Sequence, residues 1–507
     1  MKKNRSIFLS IFFVGISWLL VSCDSGKTNE SDTSLLVRAF LTDAQGAKLE
    51  EVDLGAEQMG VSDMIHLMLD TSVTFQSITG FGGAFTESTA NTFFKLGQEN
   101  QDKILDLYFG SSGARYSLCR THMNSCDFSV GSYSYAPVAG DTALEHFSIF
   151  EDTADIIPLI HLAQKVSEDG FKLIASPWTA PPWMKDNNEW FGGKLKPEYY
   201  DAWAKFFVKY ALAMKEHGAP IWAFTVENEP LGNDAHWESM HYSPEEMAEF
   251  VKDHLGPELG KIQDAPHILV YDQNRDEELI EWANVLLRDT QVLEQIYGTA
   301  VHWYSSTIDW MPEALQYVHD LAPAKHIIHT EACIDADTPR WNNDTWYWSA
   351  EATDWGFQWA APDKKKDHPK YVPVFRYARD IIGCLNSQVE GWVDWNMVLD
   401  RQGGPNHVGN WCIAPMIADV NTNELYITPL YYTMAHFSKF IEPGAKRIKF
   451  ELDNDDIMAT AVRNPDGTVV LVLFNPKDSP YSLEFGLGDG LEKAHIPAKS
   501  IQTFVIG

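Results

Sequence analysis

Two glutamates, each placed after a run of β-forming residues, are the residues of this chain best suited to chemistry. Glu229 follows Ile221–Val226 within FTVENEPLG, and Glu331 follows His326–Thr330 within IIHTEACID. A parallel strand that ends in an acidic residue is how barrel enzymes present catalytic groups at one rim. Two such carboxylates can converge across a sugar ring, one as acid and one as nucleophile. Either glutamate alone would be interpreted as surface charge, so the hypothesis of catalysis rests on the pair, with Asn228 beside the first.

Length and charge restrict the classes of protein that this chain can belong to. Its 507 residues are enough for one large barrel and a smaller domain. The 39 basic and 71 acidic residues give a formal net charge of −32. That charge argues against nucleic acid or an anionic membrane surface as partner, and a neutral ligand such as a glycan fits it.

The N-terminus has the features of a targeting segment. Three basic residues among the first five precede an apolar run, Ile7–Val21, that is short for a membrane span. The run ends in Leu-Val-Ser-Cys, which resembles a bacterial lipobox whose cysteine, Cys23, becomes lipidated and N-terminal. The alternative is an ordinary cleaved signal. We expect residues 1–23 to be a lipoprotein signal peptide, residues 24–35 a flexible tether, and the protein to be anchored in the bacterial cell envelope.

The remaining cysteines and the histidines give no metal signature. Five cysteines are scattered without CxxC spacing, and the 17 histidines include no HExxH motif. We therefore expect no metal, no cofactor and no disulfide framework. The five are Cys119, Cys126, Cys333, Cys384 and Cys412.

Strand-like and helix-like stretches alternate through the middle of the chain, which is the pattern of a parallel α/β fold. One helix is clear over Pro197–His217, where apolar residues recur at helical spacing before Gly218. Eight parallel strands would close a barrel with Glu229 after the fourth strand and Glu331 at the end of the seventh, on the rim where barrel active sites lie. The eight predicted strands are Ile78–Phe85, Ala114–Arg120, Lys172–Ser176, Ile221–Val226, His267–Asp272, Thr299–Tyr304, His326–Glu331 and Val389–Asn396.

From about Lys446 onward the pattern changes to short strands separated by turn signals, which is typical of a β-sandwich. Strand-like segments also precede the barrel, and because chain ends often meet, both ends are expected to build one side domain. The sequence predicts a (β/α)8 TIM barrel with an attached β-sandwich. Its predicted parts are N-terminal strands at 36–74, a barrel at 75–437 and a sandwich at 438–507.

A long segment between the last two predicted barrel strands, Asp335–Lys370, is rich in tryptophan. Long rim loops are usually functional, and flat indoles suit sugar faces. The alternative is a loop with a small hydrophobic core of its own. The tryptophans are Trp341, Trp346, Trp348, Trp355 and Trp359.

An ordered series of motifs resembles glycoside hydrolase family 30, which includes glucosylceramidases and β-1,6-glucanases. Family members have a (β/α)8 barrel with a β-sandwich side domain. The resemblance covers nearly all of the chain after its N-terminal segment. The matching stretches are Gly80–Thr89, Arg120–Ala136, Ala175–Lys185, Thr225–Pro230, Ala300–Tyr304, His329–Cys333, Gly391–His407 and His436–Ile448.

The resemblance implies a role for particular residues. Glu229 would be the general acid/base and Glu331 the nucleophile of a retaining β-glycosidase that needs no cofactor. Many relatives have glutamine where this chain has Glu227, and we expect this extra carboxylate not to point into the site. The residues implied to contact the sugar are Asp127, Trp178, Asn228, Trp395 and Asn406, followed by Arg120, His302 and Tyr304.

The substrate expected from the sequence is a neutral β-glucoside, with internally cut β-1,6-glucan preferred. The tryptophan-rich segment and the GWVDWNMVLD stretch look closer to the β-1,6-glucanase branch than to the animal ceramidases, and a lipid anchor suits capture of an external polysaccharide. The alternatives are a glucosylceramidase, an exo-acting β-glucosidase or β-xylosidase, and a lipid-anchored glycan-binding protein without catalysis. We expect a monomer that contacts the membrane only through its anchor.

Overall fold

A computed structural model describes residues 35–55, 64–232, 236–335, 338–350 and 360–507. The predicted lipidation site, Cys23, lies outside the described residues. Within the described part of the chain, no helix combines the length and the apolar character needed to cross a membrane.

The strands of the described residues fall into one barrel, one large sheet and two small sheets. Numbered in chain order, they are β1 Val37–Asp43, β2 Lys48–Val52, β3 Met64–Ser77, β4 Gly80–Phe85, β5 Leu118–Met123, β6 Lys172–Pro177, β7 Ala223–Thr225, β8 His267–Asn274, β9 Gly298–His302, β10 His326–Glu331, β11 Ile334–Asp335, β12 Val389–Asn396, β13 Val398–Asp400, β14 Cys412–Ile413, β15 Met416–Asp419, β16 Glu424–Ile427, β17 Lys446–Leu452, β18 Met458–Arg463, β19 Val469–Asn475, β20 Tyr481–Leu487, β21 Gly490–Ile496 and β22 Ser500–Ile506.

Helices connect the barrel strands and cover their outer faces. The α-helices are α1 Glu87–Lys95, α2 Gln98–Phe109, α3 Phe150–Ala154, α4 Ile156–Val166, α5 Tyr200–Glu216, α6 Pro244–Glu249, α7 Gly256–Leu259, α8 Glu277–Leu286, α9 Thr290–Gln295, α10 Pro312–Leu321, α11 Asp344–Tyr347, α12 Pro373–Asn386 and α13 Pro429–Ser438. A π-helical stretch, Phe250–Leu255, joins α6 to α7.

The strands β4, β5, β6, β7, β8, β9, β10 and β12 are parallel and close a barrel. The fourth of these is β7 and the seventh is β10, so Glu229 follows the fourth strand and Glu331 ends the seventh, as predicted. The second predicted strand began too early, because Ala114 and Tyr116 hydrogen-bond back to the end of α2 and Arg115 adopts a left-handed φ of +53°.

The barrel interior is apolar at its centre and polar toward the C-terminal rim. Seven side chains, one from each strand except β4, form a closed apolar layer: Leu118, Ile174, Ala223, Leu269, Ala300, Ile328 and Val393. Side chains alternate along a strand, so the residue two positions further on also points inward. On five strands that residue is polar and buried: Arg120, Ser176, Thr225, His302 and Thr330. The apolar layer is therefore the floor on which a polar site is built.

The side domain is one nine-stranded sheet in the order β2-β1-β22-β19-β18-β17-β3-β20-β21. The N-terminal strands β1 and β3 pair with C-terminal strands, β1 with β22 and β3 with β17 and β20. Strand β19 is buried on both faces: Leu471 lies in the core of the side domain, whereas Val470 and Val472 pack with the barrel core. The predicted fold class, a TIM barrel with a β-sandwich, is confirmed.

The predicted helix over Pro197–His217 is present. A short 3-10 turn leads into α5, whose aromatic residues such as Trp203 and Phe207 are buried. The helix ends before Gly218, whose φ of +76° only glycine adopts without strain. The sequence pattern was therefore a reliable guide to this helix.

Candidate active site

A cavity of 540 Å³, the central cavity, opens at the C-terminal end of the barrel. It takes its wall from segments that follow several different barrel strands, which is where barrel active sites lie. Seven of the predicted site residues line it: Asp127, Trp178, Asn228, Glu229, Tyr304, Glu331 and Trp395. Arg120 and His302 lie fully buried and hydrogen-bond to residues of this wall.

The carboxylates of Glu229 and Glu331 face each other across the central cavity. One oxygen of each lies within 4.8 Å of the other, and a ring nitrogen of His302 lies within the same distance of both. Backbone hydrogen bonds hold Glu229 in a left-handed conformation with a φ of +47°, and its amide donates to the carbonyl of Asp272 at 3.0 Å. Such a conformation persists only where the surroundings enforce it. This backbone turn directs the Glu229 carboxylate toward the Glu331 carboxylate.

Both oxygens of Glu331 are fixed by hydrogen bonds. The Arg120 guanidinium donates to Oε2 at 2.8 Å, and the Tyr304 hydroxyl donates to Oε1 at 2.9 Å. Burial raises the pKa of the Glu331 carboxyl, and the positive charges of His302 and Arg120 act against that rise. Glu331 is thus held in one orientation, with its charged form favoured by the two cationic neighbours.

Asp272, which the sequence analysis did not single out, connects the supports of the two glutamates. This fully buried aspartate accepts a hydrogen bond from Arg120 at 2.7 Å and one from Nε2 of His302 at 3.0 Å. Arg120 contacts Glu331, and Nδ1 of His302 lies 3.1 Å from Oε1 of Glu229. Burial alone would raise the pKa of Asp272, but Arg120 and His302 lower it to about 2.

His302 carries a proton at neutral pH. Burial alone would lower its pKa, but the Asp272 carboxylate and the hydrogen bond to Glu229 raise it to about 9. Both ring nitrogens of the imidazolium are then donors, one to each carboxylate. Metal binding requires a neutral imidazole with a free lone pair. The trio of Glu229, His302 and Glu331 is compact enough for a cation, but both ring nitrogens of His302 already bond to carboxylates.

The charge on His302 should make stability depend on pH. Its pKa of about 9 lies above the ordinary 6.5, so its stabilising contribution is complete below pH 6.5 and is lost as the pH rises through 9. We expect the difference in free energy of unfolding between the wild type and His302→Gln to shrink by roughly 3 kcal/mol between pH 6 and pH 10. Denaturant unfolding at each pH measures this difference.

A matched control is His436→Gln. His436 is equally buried, but burial lowers its pKa to about 3, so it stays neutral over the whole range. Only the unfolded-state imidazole of His436 titrates in this range, with its ordinary pKa of 6.5, so the His436→Gln difference should change by less than about 1 kcal/mol between pH 6 and pH 10, and in the direction opposite to that of His302→Gln. A His302→Gln difference that changes as little as the control, or in the same direction as the control, would show that His302 is not charged.

Aromatic rings and a second aspartate complete the central cavity. The indoles of Trp178 and Trp395 stack with centroids 5.2 Å apart. Asp127 accepts a hydrogen bond from the Asn410 amide at 2.8 Å, and burial raises the pKa of Asp127 to about 7. A sugar can therefore lie against an apolar wall while Asp127 and Asn410 hydrogen-bond its hydroxyl groups.

Asn406, which the resemblance placed in the donor pocket, does not line the central cavity. Its side-chain oxygen accepts from the amides of Val408 and Asn410, and its nitrogen donates to the carbonyl of Asn410. These hydrogen bonds shape the loop so that Asn410, and not Asn406, faces Asp127. Asn410 was missed by the sequence analysis, and only its position four residues after Asn406 could have suggested it.

Glu227 does not line the central cavity, in agreement with the expectation that it does not point into the site, and its side chain is fully buried. Neither of its carboxylate oxygens has a hydrogen-bond partner among the described residues. Burial raises its pKa well above the ordinary value, and the charge of the equally buried Lys185 acts against that rise. Glu227 is therefore a buried carboxyl group that favours its neutral form and lies outside the wall of the central cavity.

The described tryptophans of the tryptophan-rich segment do not line the central cavity. Trp346 and Trp348 belong to the main hydrophobic core, and Trp348 packs edge-on against Phe375 of α12. Trp355 and Trp359 lie outside the described residues. None of residues 338–350 lines the central cavity, and Trp346 and Trp348 pack into the main core rather than into a separate core of the loop.

Comparison with known proteins identifies the family to which the chain belongs. Residues 78–441 match the model of the glycosyl hydrolase family 30 TIM-barrel domain, and residues 444–504 match that of the family 30 beta sandwich domain. The lysosomal acid glucosylceramidase of Mus musculus is 34% identical over 469 residues, 90% of this chain and 86% of the relative.

Solved structures agree with that assignment. SrfJ from Salmonella typhimurium superposes with a TM-score of 0.80 at 29% identity, covering 92% of this chain and 99% of the other. The endo-beta1,6-glucanase BT3312 superposes with a TM-score of 0.78 at 26% identity, with the same coverage. The chain belongs to glycosyl hydrolase family 30, and it is a glycosidase.

Proposed function

We propose that this glycosidase hydrolyses β-glucosides with retention of configuration, with Glu331 as nucleophile and Glu229 as general acid and base. The observation that carries the proposal is the approach of the two carboxylates to within 4.8 Å. Retaining glycosidases separate their carboxyl groups by about 5–5.5 Å, whereas inverting enzymes leave about 6.5–9.5 Å for a water molecule.

Each supporting contact has a chemical consequence in this mechanism. Arg120 and Tyr304 hold the Glu331 carboxylate, so that it can attack the anomeric carbon and form a glycosyl ester while the Glu229 proton passes to the leaving oxygen. Water then attacks the ester, with Glu229 now taking the proton. The side-chain oxygen of Asn228 accepts from Arg120 at 2.9 Å, which leaves its amide hydrogens for a sugar hydroxyl.

Retention is directly observable. NMR of a β-glucoside digest should show the β-anomer of the released sugar first, followed by slow mutarotation, because two displacements restore the configuration. First release of the α-anomer would rule out the double displacement.

For the substrate we propose β-1,6-linked glucan, cut internally. The likeness to the endo-beta1,6-glucanase BT3312 extends over 92% of this chain. The central cavity is open and has stacked indoles and neutral hydrogen-bonding groups, which suit a glucosyl unit. The tryptophan-rich segment no longer supports this choice, since its described tryptophans do not reach the cavity.

Glucosylceramide is the second candidate. The observation that favours it is sequence identity, which is 34% to the mouse glucosylceramidase and 26% to the glucanase of known structure. Apolar side chains are exposed on segments that follow barrel strands, among them Val130 and Leu231. These side chains could contact the apolar aglycone of a glycolipid.

Incubation with pustulan, a linear β-1,6-glucan, separates the candidates. We expect early release of mixed oligosaccharides, because an endo enzyme cuts at internal positions. Glucose as the sole early product would indicate exo action. Absence of release from pustulan, together with rapid cleavage of glucosylceramide, would overturn the substrate proposal.

We propose in addition that the protein is lipid-anchored through Cys23 in a bacterial cell envelope. The support is the lipobox-like end of the apolar N-terminal run. Cys23→Ala should move the protein from the membrane fraction to the soluble fraction, and an unchanged distribution would contradict the proposal.

A further inference from the structure

A second cavity, the rim cavity, lies on the same end of the barrel as the central cavity. Its volume is 390 Å³, within the range of about 300–1,000 Å³ typical of small-molecule sites. Two indoles, a phenol ring and three prolines make up most of its lining. The residues that give it chemical character are Ser132, Tyr133, Ser134, Glu151, Trp183 and Trp190.

The two cavities share their walls. The segment between β5 and α3 supplies Asp127 to the central cavity and Tyr133 to the rim cavity. The segment between β6 and α5 likewise supplies Trp178 to one and Trp183 to the other. A glycan chain held in the rim cavity would therefore contact the same two segments that line the central cavity.

Hydrogen bonds tie the segment that carries Ser132 and Tyr133 to Glu238 and His407. The Ser125 hydroxyl accepts from the amide of Tyr133 at 2.9 Å and donates to Glu238 at 2.8 Å. Nε2 of His407 lies 3.3 Å from the same Glu238 oxygen and 3.4 Å from the hydroxyl of Ser132. The shape of the rim cavity is thus set before any ligand arrives.

The indole of Trp183 is also fixed in advance. Its Nε1 donates to the carbonyl of Ala136 at 2.9 Å, and the ring of Tyr199 meets it edge-on with centroids 5.1 Å apart. A rigid, half-buried aromatic face beside prolines is suited to the C–H face of a sugar, and little conformational entropy is lost on binding.

The polar groups of the rim cavity limit the class of ligand. Among the described residues that line it there is no lysine or arginine, so it offers no cation to a phosphate or carboxylate. Glu151 and the hydroxyls of Ser132 and Ser134 offer hydrogen bonds to a ligand's hydroxyl groups that a bare alkyl chain could not use. The chemistry points to a neutral sugar.

We propose that the rim cavity binds a glucosyl unit of the β-glucan substrate, at a distance from the bond that is cut. The choice of a glucan as ligand rests on the proposed function. The rim cavity would give the polymer a second point of attachment. A distal attachment strengthens binding of a long chain without contributing to a single-glucose substrate.

The test is Trp190→Ala, with Phe191→Ala as its matched control. Phe191 is the next residue, is 37% exposed and lines neither cavity. For Trp190→Ala we expect the ratio of kcat/KM on pustulan to kcat/KM on an aryl glucoside to fall about tenfold, the effect of losing one aromatic contact. The fall should come from KM, and Phe191→Ala should leave the ratio unchanged.

Binding measured without turnover separates this proposal from the choice of substrate. In a Glu331→Gln background, Trp190→Ala should weaken retention in pustulan-containing gels about tenfold. That loss supports the rim site even if the wild type does not cleave pustulan, in which case only the substrate proposal fails. Unchanged retention overturns the rim site.

Two other outcomes also overturn it. An equal fall of kcat/KM on both substrates would show that the rim cavity only supports the fold. Loss of binding to glucosylceramide vesicles, with pustulan retention intact, would assign the cavity to the aglycone of a glycolipid.

Discussion

Glu331→Gln should lower turnover by roughly 10⁴-fold or more on every substrate, because an amide cannot form the glycosyl ester. The fold should survive. The amide oxygen can still accept from Arg120, and the amide nitrogen can donate to the hydroxyl oxygen of Tyr304. Glycan affinity should stay close to that of the wild type, as calorimetry with a β-glucan oligosaccharide would measure.

Glu390→Gln is the matched control for that substitution. Glu390 is a similarly buried glutamate on β12 that bonds to His326 and Thr79 at the opposite end of the barrel. The Glu390→Gln variant should retain activity. If Glu331→Gln kept more than a few per cent of the wild-type turnover, Glu331 would not be the nucleophile.

Glu229→Ala should have a large effect that depends on the leaving group. A general acid contributes about 10²–10⁴-fold, so activity on glucan should fall by that factor. An aryl glucoside whose leaving group needs no proton should still form the glycosyl ester. Release of the first leaving group should then appear as a burst in stopped-flow absorbance, since the ester lacks a base to activate water.

Azide distinguishes the two carboxylates. It should fit the space left by the Glu229 side chain, attack the ester and restore turnover of the aryl glucoside with β-glucosyl azide as product. The wild type should show no such acceleration. An α-glucosyl azide from Glu229→Ala would mean that the roles of Glu229 and Glu331 are reversed.

The barrel and its pair of glutamates could be predicted from the sequence because their signals are local. Buried parallel strands are rich in apolar residues, and the two glutamates stand at or shortly after strand ends: Glu331 is the last residue of β10, and Glu229 follows β7. Glu229 and Glu331 lie 102 positions apart in the chain, yet barrel closure alone brings strand ends to one rim. Counting strands was enough to place both on that rim.

Contacts that depend on the exact packing of distant segments could not be predicted. Asp272 ends a predicted strand like many other polar residues, and its importance appears only when Arg120 and His302 meet it inside the barrel. The same holds for Asn406 and Asn410, which are close in sequence and equally polar. Which of them faces Asp127 is decided by the hydrogen bonds of one loop.

Tryptophan content was a misleading signal for the same reason. An indole serves equally well in a core or beside a sugar, and the sequence does not show which surface covers it. Trp346 and Trp348 are covered by the protein's own core. Trp183 and Trp190, which lie outside the tryptophan-rich segment, line the rim cavity instead.

Trapping the covalent intermediate tests the proposed mechanism most directly. In 2-deoxy-2-fluoro-β-glucosyl fluoride, the fluorine at C2 slows both displacements, whereas the reactive fluoride leaving group restores the first, so the glycosyl ester should accumulate. Peptide mass spectrometry should then find one fluoroglucosyl group, on the peptide that contains Glu331. An adduct on Glu229 or Asp127, or continued turnover of an aryl glucoside with no adduct at all, would contradict the double displacement through Glu331.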